Sequence, residues 1–299
     1  MRARGMTLWS NVFDFIIAPF VEFSFMRRAL VGSIALSIGA GPIGVFLMLR
    51  RMSLVGDAMA HAILPGAALG YLLAGLSLGF MTAGGLIAGF VVALLAGLVT
   101  RVTVLKEDAA LASFYLISLA GGVVLVSLRG SNVDLLHVLF GSVLALDDNT
   151  LLLLATAATI SLFSLAILFR PLVMECVDPL FLRTVSKSGG VAHIGFLALV
   201  VLNLVAGFHA LGTLLSVGLM MLPAFAARFW SSTLEGMMAV ATLLGIGSSC
   251  IGIILSYHAG TPTGPTIILS AGGIYLLSIL FGQRNGLILR LMPRKHLVA

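Results

Sequence analysis

Long apolar stretches, separated by short segments rich in charged residues, glycine or proline, follow one another along almost the whole chain. Each stretch is close to the ~20 residues that an α-helix needs to cross the hydrocarbon core of a membrane. The pattern predicts an all-α polytopic membrane protein with about nine transmembrane helices, within a range of about eight to ten. The predicted spans cover residues 29–49, 53–75, 79–100, 111–128, 150–169, 191–208, 211–228, 236–257 and 265–282.

Two further segments are apolar but interrupted by polar residues. Residues 8–25 carry Asp14, Pro19 and Glu22 among phenylalanine and isoleucine. This mixture favours an amphipathic helix lying in the membrane interface, and a full crossing is the alternative. Residues 131–147 are too short and too polar at their ends for a confident span, so they predict a short interfacial or re-entrant element.

The composition supports a single transmembrane domain. The chain is 60% hydrophobic and only 9% charged, with a mean hydropathy of +1.16, whereas about a quarter of the residues of a soluble domain are charged. We expect an N-terminal interfacial segment over 1–28, a transmembrane domain over 29–283 and a cytoplasmic tail over 284–299. The two cysteines, Cys176 and Cys250, provide neither a disulfide framework nor a cysteine metal site.

The positive charges predict the orientation of the chain. If the nine spans alternate and the C-terminus is cytoplasmic, twelve of the 17 lysines and arginines face the cytoplasm. Only Arg27, Arg28 and Arg129 then lie firmly outside, while Arg2 and Arg4 are undecided. This bias follows the positive-inside rule. The net charge of +6 therefore reports topology, and no basic patch indicates a nucleic-acid partner.

Asp57 and His61 are the most informative polar residues, because they lie four apart within an otherwise apolar span. Residues i and i+4 share one face of a helix. Ionisable residues at this depth are costly and indicate a functional site. Counted from Arg50 and Arg51, the pair lies about 9–15 Å into the membrane, with His61 near the middle. The alternative interpretation is a structural pair in which the two side chains satisfy each other.

The loop over residues 170–190 is long and mixed in charge. Asp178 is a good helix cap and Pro179 a good first helical residue, and Leu180 and Phe181 would be exposed on the short helix that follows. This helix has two interpretations: a connector lying on the membrane surface, or a docking element for a soluble partner.

The stretch RRMSLVGDAMAHAILPGAALGYLL resembles the permease subunits of ABC-type zinc, manganese and iron(II) importers, whose motif S-x-x-G-D-A-x-x-H-A-x-L-P-G is matched from Ser53 to Gly66. The resemblance extends from Phe25 to Phe281. It includes the stretches KEDAALA at 106–112, DPLFLRTVSKSG at 178–189, HALGTLLSVGLMMLPAFAAR at 209–228 and LSYHAGTPTG at 255–264.

Two positions depart from the family pattern. Gly260 stands where members often carry an acidic residue, and Leu222 stands where many have serine or threonine. The first change removes a candidate ligand at the outer face. The second indicates that a hydroxyl near Pro223 is dispensable here, or that the chain belongs to a subgroup with its own metal preference.

The resemblance implies a type II ABC importer-like permease that imports divalent metal ions by alternating access around Asp57 and His61. It also implies that the 178–189 helix seats in a cytoplasmic ATPase subunit. The residues that would make this contact are Asp178, Pro179, Leu180, Phe181 and Arg183. The chain lacks the phosphate-binding motif G-x-x-x-x-G-K-[ST], so it is not itself an ATPase, and ATP would be bound by the partner.

A single Asp–His pair is an incomplete cation site. In a two-fold homodimer the pair doubles to two oxygens and two nitrogens, a set that suits Zn(II) first and can also hold Mn(II) or Fe(II). These ions would be transported cargo, so we expect no permanently bound cofactor. An extracytoplasmic metal-binding protein would deliver them, and His209 and His258, near the outer ends of helices, are candidate contacts at the outer mouth.

Two other classes of transporter stay open. A proton-coupled secondary transporter would also place Asp and His within the membrane, although it usually shows an inverted repeat with intramembrane charges in both halves. A permease of related fold for vitamin B12 or iron siderophores would have a wide, uncharged pathway, whereas Asp57 and His61 favour a bare ion. All of these interpretations expect a multi-pass protein of a prokaryotic inner membrane.

Overall fold

The computed structural model describes residues 15–52, 54–75, 77–105, 107–128, 143, 146–178, 188–284 and 286–288, and it contains no β-strand among them. Ten helices of five residues or more make up this part of the chain. They are α1 Ala18–Glu22, α2 Ser24–Leu49, α3 Val55–Ala74, α4 Leu78–Val102, α5 Glu107–Leu128, α6 Asp148–Val177, α7 Ser188–Leu211, α8 Thr213–Ala227, α9 Leu234–Ala259 and α10 Thr263–Phe281.

The nine longer helices, α2 to α10, coincide with the nine predicted spans, which confirms the all-α polytopic fold. Seven of them are long and apolar enough to cross a membrane. The apolar stretches of α5 and α8 are shorter, at 108–124 and 213–227. The 15 residues of α8 extend only about 22 Å at 1.5 Å per residue, because Gly212 breaks the chain in front of it with a φ of 87°.

Two helix ends differ from the sequence-based boundaries. The first long helix begins at Ser24, within the segment expected to be interfacial. The fifth long helix, α6, continues to Val177, past the residue at which the 170–190 loop was expected to begin, and α7 begins at Ser188. The extension of α6, residues 170–177, carries two charged residues, the exposed Arg170 and the largely buried Glu175. The Glu175 carboxylate pairs with Arg50, which compensates its charge away from water.

The described part of the predicted interfacial segment lies against the bundle. Residues 8–14 are outside the described chain. The helix α1 has five residues and ends at Phe23, whose backbone is extended with φ −111° and ψ 118°. A helix of this length cannot cross a bilayer.

Among the seven helices long enough to cross a membrane, α2 and α7 are the most buried, with 72% and 67% of their most apolar windows covered, against 22–50% for the other five. The shorter helix α8 is buried beside them. Glycines, which have no side chain, lie where the helices approach one another most closely. A β-carbon at Gly44 of α2 would collide with the carbonyl oxygen of Met220 in α8, and one at Gly84 of α4 would collide with that of Gly66 in α3. Small residues at such crossings let membrane helices pack backbone to backbone.

The start of α6 is fixed by an acidic cap and an ion pair. Asp147 accepts hydrogen bonds from the hydroxyl and the backbone N–H of Thr150, the latter at 3.0 Å, as an N-cap aspartate should. These two bonds hold the pKa of the Asp147 carboxyl below its usual range. Next to it, Asp148 pairs with Arg28 of α2 at 2.9 Å. An exposed ion pair therefore joins α2 to the start of α6.

Candidate functional site

The predicted acid and imidazole lie together on α3. Asp57 is in the first turn of the helix and His61 follows one turn later. His61 Nε2 and Asp57 Oδ1 are 3.7 Å apart, which is too long for a hydrogen bond. Two ligand atoms on one tetrahedral ion with bonds of about 2.1 Å are separated by about 3.4 Å. The pair therefore has a spacing close to that of two ligands on one cation.

Measured from the first residue of α3, Asp57 and His61 lie less deep than the count from Arg50 and Arg51 indicated. A turn over residues 50–54 precedes α3, which begins at Val55. Counted from Val55, His61 lies about 9 Å along a helix about 30 Å long. Asp57 therefore lies near the first end of α3, and His61 lies about 6 Å short of its middle.

The face of α3 that carries the pair is not covered by the described chain. The Asp57 side chain is 66% exposed and that of His61 is 32% exposed. Leu54 is 69% exposed, and Leu64 and Ala68 on the same face are partly exposed. A carboxylate on a membrane helix is stable only beside water, a partner or an ion. This face therefore lines a cavity or an interface rather than lipid.

Helix α5 supports the site from one side. The ring of Tyr115 stacks on the imidazole of His61, with centroids 6.0 Å apart and planes 29° apart. The Ser118 hydroxyl donates to the carbonyl oxygen of Ala62 at 3.2 Å. Gly122 packs directly on the ring of Pro65. These contacts fix the position of α3 and orient the imidazole. No local pattern in the sequence distinguishes Tyr115 from the other aromatic residues of the spans.

Pro65 adds an oxygen acceptor beside the imidazole. Proline has no backbone N–H, so the carbonyl of the residue four positions earlier loses its helical donor. That residue is His61, and α3 nevertheless continues to Ala74. His61 therefore offers both a ring nitrogen and a carbonyl oxygen released from the helix. Among the residues that the structure describes, no three His, Cys, Asp or Glu side chains form a metal-binding group.

Each of the two histidines expected at the outer mouth forms a hydrogen bond to a backbone carbonyl. His209 lies in the last turn of α7, where Nδ1–H donates to the Val205 carbonyl at 2.9 Å. Its Nε2 is buried and has no hydrogen-bond partner within the described ranges. At the end of α9, His258 Nε2–H donates to the Phe15 carbonyl at 2.9 Å, and its ring stacks on Phe15 at 4.0 Å. The structure does not bring either histidine into one cluster with Asp57 and His61.

Most of the predicted ATPase contact lies outside the described residues. Pro179, Leu180, Phe181 and Arg183 belong to the segment 179–187, of which the structure gives no description. Asp178 is described as the residue that ends α6, with its N–H donating to the Met174 carbonyl at 2.9 Å. The predicted role of these residues stays a prediction.

A second polar group, which the sequence did not single out, lies at the other end of the α2–α6 contact. Arg50 Nη2 is 2.8 Å from Glu175 Oε1 and 2.6 Å from His193 Nδ1. The three side chains are 8%, 12% and 14% exposed. The signal that could have found it is Glu175, a carboxylate within an apolar run that continues the preceding span.

The fold and the site define a multi-pass helical membrane protein with an acid–imidazole pair on an open helix face. The chain belongs to the ABC 3 transport family, whose sequence pattern matches residues 22–282. This confirms the resemblance seen in the Ser53–Gly66 motif.

Known relatives cover nearly the whole chain. The manganese import system permease protein ScaB of Streptococcus parasanguinis is 31% identical over 88% of this chain and 93% of its own length. A protein of Haemophilus influenzae whose name refers to iron transport is 30% identical over 91% and 98%. The solved structure of PsaBC from Streptococcus pneumoniae in complex with Fab matches with a TM-score of 0.81 and 28% identity, over 93% of this chain and 99% of the other.

Proposed function

We propose that this chain is the permease subunit of an ATP-driven importer of divalent transition-metal ions, with Asp57 and His61 as ligands of the passing ion. The observation that carries the proposal is the pair itself: a carboxylate and an imidazole 3.7 Å apart on an open face of α3. The family and the names of the relatives support the same function.

The donor set and the relatives favour manganese(II) or iron(II) over the zinc(II) that we expected first. A carboxylate and a carbonyl oxygen suit manganese, and imidazole suits iron as well as zinc. The two relatives described above are named for manganese and for iron. Zinc(II) remains the third candidate. Uptake measured with the three ions in competition would rank them.

A second copy of the chain would complete the site. One chain contributes a carboxylate oxygen and an imidazole nitrogen, whereas a divalent ion prefers four or more ligands. A two-fold axis beside the open face of α3 would double the set. The exposure of Asp57 and His61 is what such an interface requires.

The remaining partners follow from the energy source and the topology. ATP would be bound by separate cytoplasmic subunits seated against residues 178–189, and an extracytoplasmic protein would deliver the metal. The excess of arginine and lysine at one end of the spans supports a prokaryotic inner-membrane protein with a cytoplasmic C-terminus.

The test is uptake by cells that lack other metal importers and express this chain with its ATPase and binding protein. We expect ATP-dependent accumulation of radiolabelled manganese(II) or iron(II), inhibited by an excess of the same ion. Stronger accumulation of zinc(II) in the competition assay would identify zinc(II) as the preferred substrate. Accumulation driven by a proton gradient without the ATPase would contradict the proposal and support a secondary transporter.

A further inference from the structure

A buried ion cluster joins one end of α2 to the ends of α6 and α7. Arg50 is the C-cap of α2, Glu175 lies two residues before the end of α6, and His193 lies five residues after the start of α7. One nitrogen, Nη2 of Arg50, contacts both Glu175 Oε1 at 2.8 Å and His193 Nδ1 at 2.6 Å. The guanidinium also lies over the ring of Phe196, 5.1 Å from its centroid.

The hydrogen-bonding chemistry makes Arg50 the shared donor. A guanidinium Nη carries two hydrogens and has no acceptor capacity. The imidazole must therefore accept at Nδ1, which places the proton of His193 on Nε2. Glu175 Oε1 and His193 Nδ1, 3.4 Å apart, are both acceptors, and the same Arg50 nitrogen contacts both of them. Removal of the guanidinium would remove this polar link between the end of α2 and the ends of α6 and α7.

The position of the cluster makes a purely stabilising role a poor explanation. Burial removes both charges from water, so an apolar replacement is often as stable as a buried ion pair or more stable. The opposite end of the same α2–α6 contact uses an exposed pair, Arg28 with Asp148, which avoids that cost. The cluster is also unsaturated, because Arg50 Nη1 and Glu175 Oε2 are buried without a hydrogen-bond partner in the described chain.

The cluster joins the two helices that flank the proposed ATPase contact in the sequence to the helix that precedes α3. Glu175 and His193 are on the two helices that enter and leave residues 178–187. Arg50 is followed by a tight turn in which Met52 N–H donates to the Leu47 carbonyl at 2.9 Å and Arg51 has a φ of 59°. These features form a Schellman motif, which closes the C-terminal end of α2. From there α3 begins, and Asp57 is seven residues beyond Arg50.

We propose that Arg50, Glu175 and His193 are positioning residues that transmit displacement of the α6 and α7 ends to α3 and its metal pair. The inference rests on the function proposed above and adds the physical link between ATP hydrolysis and ion release. A rigid connection suits this role, because a coupled displacement needs contacts that do not slide.

The experiment compares ions imported per ATP hydrolysed, with the purified permease–ATPase complex in proteoliposomes and manganese(II) and iron(II) as probes. The double variant Arg50→Gln with Glu175→Gln removes both charges and leaves no unpaired buried ion. His193→Leu removes one acceptor, whereas His193→Asn keeps an acceptor near the Nδ1 position. The matched control, Arg28→Gln with Asp148→Asn, removes the exposed pair between the same two helices.

We expect the double variant and His193→Leu to lower the transport ratio about tenfold. The ATPase should stay bound and the metal concentration giving half-maximal uptake should not change. His193→Asn and the control should match wild type. If the double variant is not recovered as a folded complex, His193→Leu decides between the outcomes. A wild-type ratio in folded double variant or in His193→Leu overturns the inference. Absence of metal transport by the wild-type complex would instead overturn the proposed function.

Discussion

Asp57 and His61 are held to different degrees by the protein. His61 stacks on Tyr115 and is two-thirds covered. Asp57 is two-thirds exposed, in the first helical turn, where the helix dipole favours a negative charge. The imidazole is therefore oriented before an ion arrives, and the carboxylate is free to follow the ion.

We expect Asp57→Asn or His61→Ala to lower manganese(II) and zinc(II) uptake about 100-fold or more, because each removes one of two strong ligands. The yield of folded protein should not change, since Asp57 is exposed and His61 is only partly buried. Leu54→Ala, on the same open face, is the control and should transport normally. Wild-type uptake by both variants would refute the site, and loss of folded protein would support the structural-pair interpretation.

The stacking residue gives a second test at the same scale. Tyr115→Leu removes the ring that faces His61, so the imidazole gains freedom and the apparent affinity for metal should fall about tenfold. Tyr115→Phe keeps the ring and should retain wild-type affinity. The measurement is uptake as a function of metal concentration. Equal affinities for the two variants would show that the stack does not orient His61.

At the scale of the helix pair, α3 and α4 meet without intervening side chains. A β-carbon at Gly84 would collide with the Gly66 carbonyl oxygen, whereas one at Gly97, on the same helix, meets nothing within 4 Å. We expect Gly84→Ala to destabilise the protein by about 1–3 kcal/mol and Gly97→Ala to leave it unchanged or slightly more stable. Thermal unfolding in detergent measures the difference. Equal unfolding temperatures would contradict the close α3–α4 packing.

The segment between α6 and α7 carries the prediction about the ATPase. Replacement of Leu180 and Phe181 by Asp should release the ATPase subunit, because docking of a short helix depends on a few buried apolar side chains. Co-purification with the tagged permease is the measurement. Leu287→Asp changes another exposed apolar residue and serves as control. Undiminished co-purification by the double variant would identify the segment as a connector.

The sequence predicts the helices better than their ends. Nine runs of about 20 apolar residues are a local signal, and each became a helix. The end of α6 is not a local property, because Glu175 is stabilised by Arg50, 125 residues away. The surroundings of His258 depend in the same way on Phe15, at the other end of the chain. Pairings between residues so far apart in the sequence are determined by the packing of the whole bundle. They produce no periodic pattern of apolar residues from which they could be predicted.

At the scale of the whole molecule, one chain supplies half of a cation site, so the two-fold homodimer is the central prediction. His61→Cys, in a background with Cys176→Ser and Cys250→Ser, should cross-link to its own copy with mild oxidant or a short thiol reagent. Leu73→Cys, 79% exposed at the other end of α3, reports contact elsewhere on the helix.

Gel mobility after cross-linking distinguishes the outcomes of the cysteine experiment. A dimer of this chain through position 61 supports the shared site. Cross-links only to a different permease subunit, or cross-links at position 73 with none at position 61, would mean that the remaining ligands come from elsewhere.

The two ends of the described chain lie at opposite ends of the helix bundle. Phe15 is bonded to His258, at the end of α9, while the N–H of Arg284 donates to the Phe229 carbonyl at 2.8 Å, in the turn where α9 begins. The length of α9 separates the two contacts. A protein that joined residue 288 of one copy directly to residue 15 of the next would therefore need a connection long enough to cross the bilayer.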